Sequence, residues 1–442
     1  MSREAPIKSE KDFTDILDKE LPEISKISEN DYKQGLEKLL SLEKQTRQSL
    51  DLPSSKRLMI SIVDLLVSNK DWQLLNEQML LLSKKHGQLK ASVQTMIESI
   101  VSELDQIKEE ETKIEVIETI RTITENKIYV EIERARVTKI YSDILLKNGD
   151  LDKATEILCE LQVETYGSME LEEKIRFILD QMILCNRKGD YVFSKILSRK
   201  VLVRTLEQFP DHKLQYYKLM TAIALNDDDY LNIVKYNLSI LEIPKIKEDP
   251  IESLNTLKTI SYFIVLSPFD NLQNDLINKI TNEKLLDKLT LEKSLIKSFT
   301  LEELIKWDLF ETNFSKTLFN TDFFNQSNEK GIKHWKDLQK RAIEHNLRII
   351  SKYYSTITLD RLTELLQLTQ SEVETNITKL VNEGIIFAKI NRPLRVVSFV
   401  AHKSENELLN DWSNNINELL DNIETIEHLI NKEEMMYGVR AK

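Results

Sequence analysis

The chain has 442 residues, enough for two or three domains or for one solenoid carrying an added module. Only 8 glycines and 8 prolines punctuate it, and 61 basic against 73 acidic side chains leave a formal charge of −12. Such a chain repels a phosphate backbone on average, so nucleic-acid binding would need a strong local basic patch, and the scarce glycine and proline favour a mostly helical protein.

The start, Met1 to Pro6, lacks an apolar signal core, and the most apolar run, Tyr262 to Leu266, is far too short to span a bilayer. We expect a soluble intracellular protein, in the cytoplasm and nucleus, with no membrane partner. Helical periodicity begins near Phe13, Ile16 and Leu17 and continues, with interruptions, to about residue 300. Within it an acidic residue before a large apolar one recurs after an apolar helix: Asp71-Trp72, Asp150-Leu151, Asp190-Tyr191 and Asp229-Tyr230. These aspartates differ by 79, 40 and 39 positions, a break near Glu109-Glu110-Glu111 supplies the missing member, and Phe269-Asp270 falls at the next step. A helix-turn-helix unit of about 40 residues cannot bury its apolar face alone, so neighbours must stack. The spacing predicts a right-handed array of helical hairpins resembling tetratricopeptide or HEAT repeats, over residues 1–250. The acidic triplet itself reads as a solvated loop. Cys159 and Cys185 lie in helical, apolar contexts and read as small buried hydrophobes.

Pro244 and Pro250 bracket a charged segment that marks a seam, and residues 313–330 have no clean period and read as an irregular loop containing Phe319, Phe323 and Phe324. A long amphipathic helix follows, apolar at Trp335, Leu338, Ala342, Ile349 and Tyr353. A β-prone link, Ser355 to Thr358, leads to a helix carrying Leu359, Leu362, Leu365 and Leu366. Thr369-Gln370-Ser371-Glu372 then forms a capping box, and Gly384 closes the helix it starts. Ile385 to Ile390, a turn at Asn391-Arg392-Pro393, and Arg395 to Phe399 read as a hairpin. Helix, turn, helix, hairpin is a winged helix, placed over 355–400 behind a helical part at 251–354. Past a linker, Leu409, Trp412, Ile416, Leu419, Ile423, Ile426 and Ile430 are spaced 3, 4, 3, 4, 3, 4. That narrow a/d seam needs a facing helix, and its position beyond a finished module (401–442) favours an intermolecular bundle.

Chemistry-bearing constellations are missing. His86, His212, His334, His345, His402 and His428 include no pair at metal-ligand spacing, no glycine-rich phosphate loop occurs, and no Gly-x-Ser-x-Gly elbow is present. We expect no enzyme, no cofactor and no metal. DNA-reading winged helices lay their second helix in the major groove. Here that helix carries Glu372, Glu374 and Glu383 against Lys379 alone, which disfavours nucleic acid. The wing cations Lys389, Arg392 and Arg395 suit a phosphate or an acidic partner equally. The hairpin also offers an edge strand that another chain can extend.

Helical repeats, a winged helix and a bundle-forming tail resemble the PCI-domain subunits shared by the proteasome lid, the cullin-directed signalosome and translation initiation factor three. The runs NKIYVEIERARVT (126–138), LCELQVETYGSM (158–169), DYVFSKILSRK (190–200), LSPFDNLQNDLI (266–277), RAIEHNLRIISKYYSTITLDRL (341–362) and GIIFAKINRP (384–393) look like the non-ATPase lid branch of that family. The resemblance implies a non-catalytic scaffold in a hetero-oligomer. Its implied partners are other PCI lid subunits, the lid deubiquitinase pair, the ATPase base and the core particle. It implies a PCI–PCI contact at Ile385, Ile386, Phe387, Lys389, Arg392, Arg395, Val397 and Phe399. The seven a/d residues from Leu409 to Ile430 would enter the C-terminal bundle. A scaffold of the signalosome or of the translation factor is the alternative within the family, and a winged-helix nucleic-acid binder the alternative outside it.

Overall fold

The structure, a computed structural model, describes residues 13–28, 31–104, 107, 109–400 and 404–440. It is a helical solenoid, a winged-helix module and a long terminal helix, and it divides into two compact units between Asp249 and Pro250. Among the described residues no helix is long and apolar enough to cross a membrane.

The first unit is a run of helices. In order they are α1 (Thr14–Ser28), α2 (Tyr32–Gln48), α3 (Leu52–Ser68), α4 (Trp72–Lys84), α5 (Lys90–Glu103), α6 (Glu110–Thr124) and α7 (Glu131–Lys147). There follow α8 (Leu151–Cys159), α9 (Leu171–Lys188), α10 (Tyr191–Ser198), α11 (Val203–Leu206), α12 (Pro210–Asn226), α13 (Tyr230–Leu241) and α14 (Pro244–Glu248). The recurrent aspartates are the N-caps of α4, α8, α10 and α13. Each follows a residue at positive φ, Lys70, Gly149, Gly189 or Asp228. Each Asp amide donates back to the preceding helix: Asp71 to Leu66 O at 3.3 Å, Asp150 to Leu145 O at 3.0 Å, Asp190 to Cys185 O at 2.9 Å, and Asp229 to Ala224 O at 3.0 Å. The left-handed residue turns the chain, the back-donated amide satisfies a helix-end carbonyl, and the aspartate starts the next helix.

Stacking of these hairpins leaves its period in the side chains. Arg57 donates to Asp18 at 2.8 Å, Tyr32 to Asp71 at 3.3 Å, Arg47 to the His86 carbonyl at 2.6 Å and Arg121 to Glu160 at 2.9 Å, and in each pair the partners are 39 residues apart. Residue i therefore faces its counterpart one repeat on. A continuous core runs from Leu17 to Ala154 and is succeeded by clusters reaching Ile246. At the acidic triplet the expectation fails: Glu110 and Glu111 are the first turn of α6, where carboxylates meet the positive helix end, and not a loop.

The second unit opens with α15 (Pro250–Leu266), α16 (Asn271–Thr281), α17 (Thr290–Thr300), α18 (Trp307–Leu318) and the long α19 (Glu329–Tyr353). The segment read as an irregular loop is partly helix, with Phe324 buried and Phe319 and Phe323 half-buried. Phe324 is buried, its ring 5.8 Å from Tyr262, while Phe319 packs at 4.7 Å and Trp307 at 5.4 Å from Trp335. Tyr353 departs from the expected apolar stripe: it is exposed and its hydroxyl donates to Glu302 at 3.1 Å.

The winged helix consists of β1 (Thr356–Thr358), α20 (Leu359–Leu366), α21 (Gln370–Asn382), β2 (Lys389–Asn391) and β3 (Val396–Ser398). The β-prone link is a third strand, giving an antiparallel sheet of order β1-β3-β2 with Ile357 opposite Val397 and Ile390 opposite Val397 on the other side. Glu372 accepts from the Thr369 amide at 3.0 Å and from its hydroxyl at 2.8 Å, and these bonds hold its carboxyl below the usual range. Gly384 stands at φ +73° and the Ile385 amide returns to Leu380 O at 3.0 Å, ending α21 as the glycine predicts. Leu359, Leu362, Val373, Ile377 and Leu380 close the core beneath the sheet. A single helix, α22 (Glu405–Arg440), is the last element among the described residues.

Candidate interaction surfaces

The hairpin side chains divide by strand periodicity. Ile386, Val397 and Phe399 are buried in the module's own core, and Ile385 is half-buried against it. Phe387, Lys389, Arg392 and Arg395 remain at the surface. The wing cations are partly engaged within the chain. Arg392 donates to Glu374 of α21 at 3.0 Å, Arg395 lies 3.9 Å from Asp360, and the Lys389 ammonium stands 5.8 Å from the Phe387 ring. The Arg392–Glu374 pair joins the wing to the helix that would read a groove and removes positive charge where a phosphate would sit. Backbone pairing is what the wing still offers, because β2 lies at the sheet edge.

The terminal helix is the larger open surface. Every α22 side chain described is exposed, and the seam is no exception, from 42% at Ile416 to 66% at Trp412. Leu409, Leu419, Ile423, Ile426 and Ile430 lie between those values. A stripe of this length ordinarily marks a contact surface, since monomers rarely expose contiguous apolar patches beyond a few hundred Å2.

His334 is buried, with Nδ1 2.8 Å from Phe323 O, and His345 has Nε2 3.3 Å from Glu303 O. Among the described residues no group of three or more His, Cys, Asp or Glu side chains is placed to hold a metal. Cys185 is buried and Cys159 half-buried, and their sulfurs lie 3.6 Å apart, a proximity nothing in their sequence contexts announces. The contact and burial push the Cys185 thiol up.

Three family models cover most of the chain: the N-terminal region of PSMD12/CSN4 over residues 34–249, the PCI domain over 301–400 and the C-terminal domain of the 26S proteasome regulatory subunit RPN5 over 406–438. The chain is 52% identical over 448 residues to the 26S proteasome regulatory subunit RPN5 of Saccharomyces cerevisiae, covering 100% of both. The chain belongs to this family of 26S proteasome regulatory subunits. It is also 40% identical to the regulatory subunit rpn501 of Schizosaccharomyces pombe, over 98% of each chain. To the non-ATPase regulatory subunit 12 of Dictyostelium discoideum it is 38% identical, over 98% of this chain and 96% of that one. The C-terminal family model coincides with α22, so the helix left bare in the single chain is one this family carries.

Proposed function

We propose that the chain is a non-catalytic scaffold subunit of the lid of the 26S proteasome regulatory particle, acting in ubiquitin-dependent protein degradation in cytoplasm and nucleus. The observation that carries this is the full-length α22 seam, exposed in a chain of this family. The helix completes itself against the tail helices of neighbouring subunits. At the β2 edge, Phe387, Lys389, Arg392 and Arg395 meet a neighbouring PCI winged helix. The solenoid of residues 1–250 supplies the surface toward the ATPase base and core particle, and the PCI module at 251–400 lies near the deubiquitinase pair. A scaffold needs open self-incomplete surfaces rather than a preorganised cluster of reacting groups, and α22 and β2 are such surfaces.

Purification of the tagged chain under native conditions tests the assignment. Stoichiometric recovery of other regulatory-particle subunits is the expected result. Recovery of signalosome or translation-factor subunits in their place would overturn it.

A further inference from the structure

A cavity of about 390 Å3 opens in the second unit beside α19, and no residue of β2 or α22 lines it. Its volume lies within the roughly 300–1,000 Å3 range of small-molecule sites. Apolar walls are provided by Val265, Ile277 and Phe299, and two guanidinium groups, Arg341 and Arg348, stand at i and i+7 on one face of α19.

The carboxylates of this cavity are already taken. Glu344 is paired with Arg341 and accepts from Lys379 at 3.0 Å, while Glu302 is paired with Lys352 and accepts from the Tyr353 hydroxyl at 3.1 Å. Arg348 receives neither: among the described residues no carboxylate lies within 4.0 Å of it. Its guanidinium carbon lies 3.6 Å from the centroid of the Phe269 ring, and one Nη donates to His345 Nδ1 at 3.2 Å. His345 in turn donates from Nε2 to Glu303 O, so its Nδ1 is the accepting nitrogen and fixes the fork. A guanidinium has five N–H donors, and this contact uses one. Nearby, the buried Nε of Arg341 has no hydrogen-bond partner among the described residues.

A cation stacked on one ring and steered by a neutral second ring, with the Glu302 carboxylate acting on its charge only from beyond ion-pair distance, is preorganised for an acceptor. We propose that this cavity binds a small oxyanion, the phosphate monoester or carboxylate of a small molecule, with Arg348 as anchor. The apolar walls take the body of the ligand.

Calorimetric titration of the full-length chain with inorganic phosphate and with glycerol 3-phosphate, against chloride at equal ionic strength, tests this. Saturable phosphate binding is expected, weakened about tenfold or more by Arg348→Gln. Arg348→Lys keeps the charge but loses the fork and the stack, and it should also weaken binding; it serves as the readout if the glutamine variant fails to fold. Lys44→Gln, on the exposed face of α2, should leave binding unchanged. A phosphate response equal to that of chloride, or one insensitive to both Arg348 variants, overturns the site. Binding should persist in the assembled particle. Its loss on assembly would overturn the small-molecule assignment, giving Arg348 to an acidic side chain of a neighbour.

Discussion

His345 packs against Phe299, and burial together with the Arg348 charge pulls its imidazole down to about 4 from an ordinary 6.5. Because the folded value is the lower one, the unfolded chain takes up the proton first as pH falls. The stabilisation is therefore complete above pH 6.5 and is lost between pH 6.5 and about 4, on the order of 3 kcal/mol at full extent. Urea midpoints of the wild type should fall through that window more steeply than those of His345→Gln, and parallel slopes would contradict the assignment. Gly331 poses a steric question at the same scale. A Cβ there would lie 2.1 Å from the carbonyl oxygen of Asn325, a backbone atom that cannot rotate aside. Gly331→Ala should cost about 1–3 kcal/mol by overpacking, read as a lowered thermal midpoint, although alanine is the better helix former.

At the scale of elements, the solenoid is built from one turn used repeatedly, and its members differ in who occupies the left-handed position. Gly149 and Gly189 take φ +88° without strain, whereas Lys70 at φ 57° and Asp228 at φ 56° hold a side chain there. A left-handed non-glycine residue is disfavoured by about 1–2 kcal/mol, while glycine loses more entropy on folding. Gly189→Ala should therefore destabilise the full-length chain by about 1 kcal/mol, and Lys70→Gly should leave its stability unchanged or raise it by less than that. Denaturant midpoints of the two variants moving in the same downward direction by equal amounts would show that the turn does not set the hairpin.

For the whole molecule, what matters is the contrast between a finished core and an unfinished tail. Ile416 and Ile423 are exposed in the single chain, so Ile416→Asp with Ile423→Asp should change its own stability by no more than about 0.5 kcal/mol. In a helical bundle the same two carboxylates would be buried without partners, at a cost of several kcal/mol. The expected outcome is a folded double variant, seen by circular dichroism, that fails to enter the regulatory particle in a native pull-down. Normal incorporation would refute the bundle assignment.

Local periodicity was sufficient for much of this protein. The aspartate-led turns, the capping box at Thr369, the closing Gly384 and the a/d spacing of α22 are all short-range patterns, and each stands in the structure where the residues place it. Other features depend on residues distant in the chain. Strand β1 exists through pairing with β3, and half-buried Phe319 and buried Phe324 both pack on Trp335. The inward turn of Ile386, Val397 and Phe399 follows from that same sheet closing over α20 and α21. No spacing rule joins Phe269 to Arg348 or Arg392 to Glu374, since these contacts come from packing between elements. Amino-acid order thus determined most of the helices and which face of the tail is apolar, because both follow from backbone hydrogen bonding and side-chain repeat, while the start of α6 and the end of α18 escaped it. Tertiary structure alone decided which apolar groups are covered and which charges keep a partner, because burial and ion pairing depend on distances that only the folded chain sets.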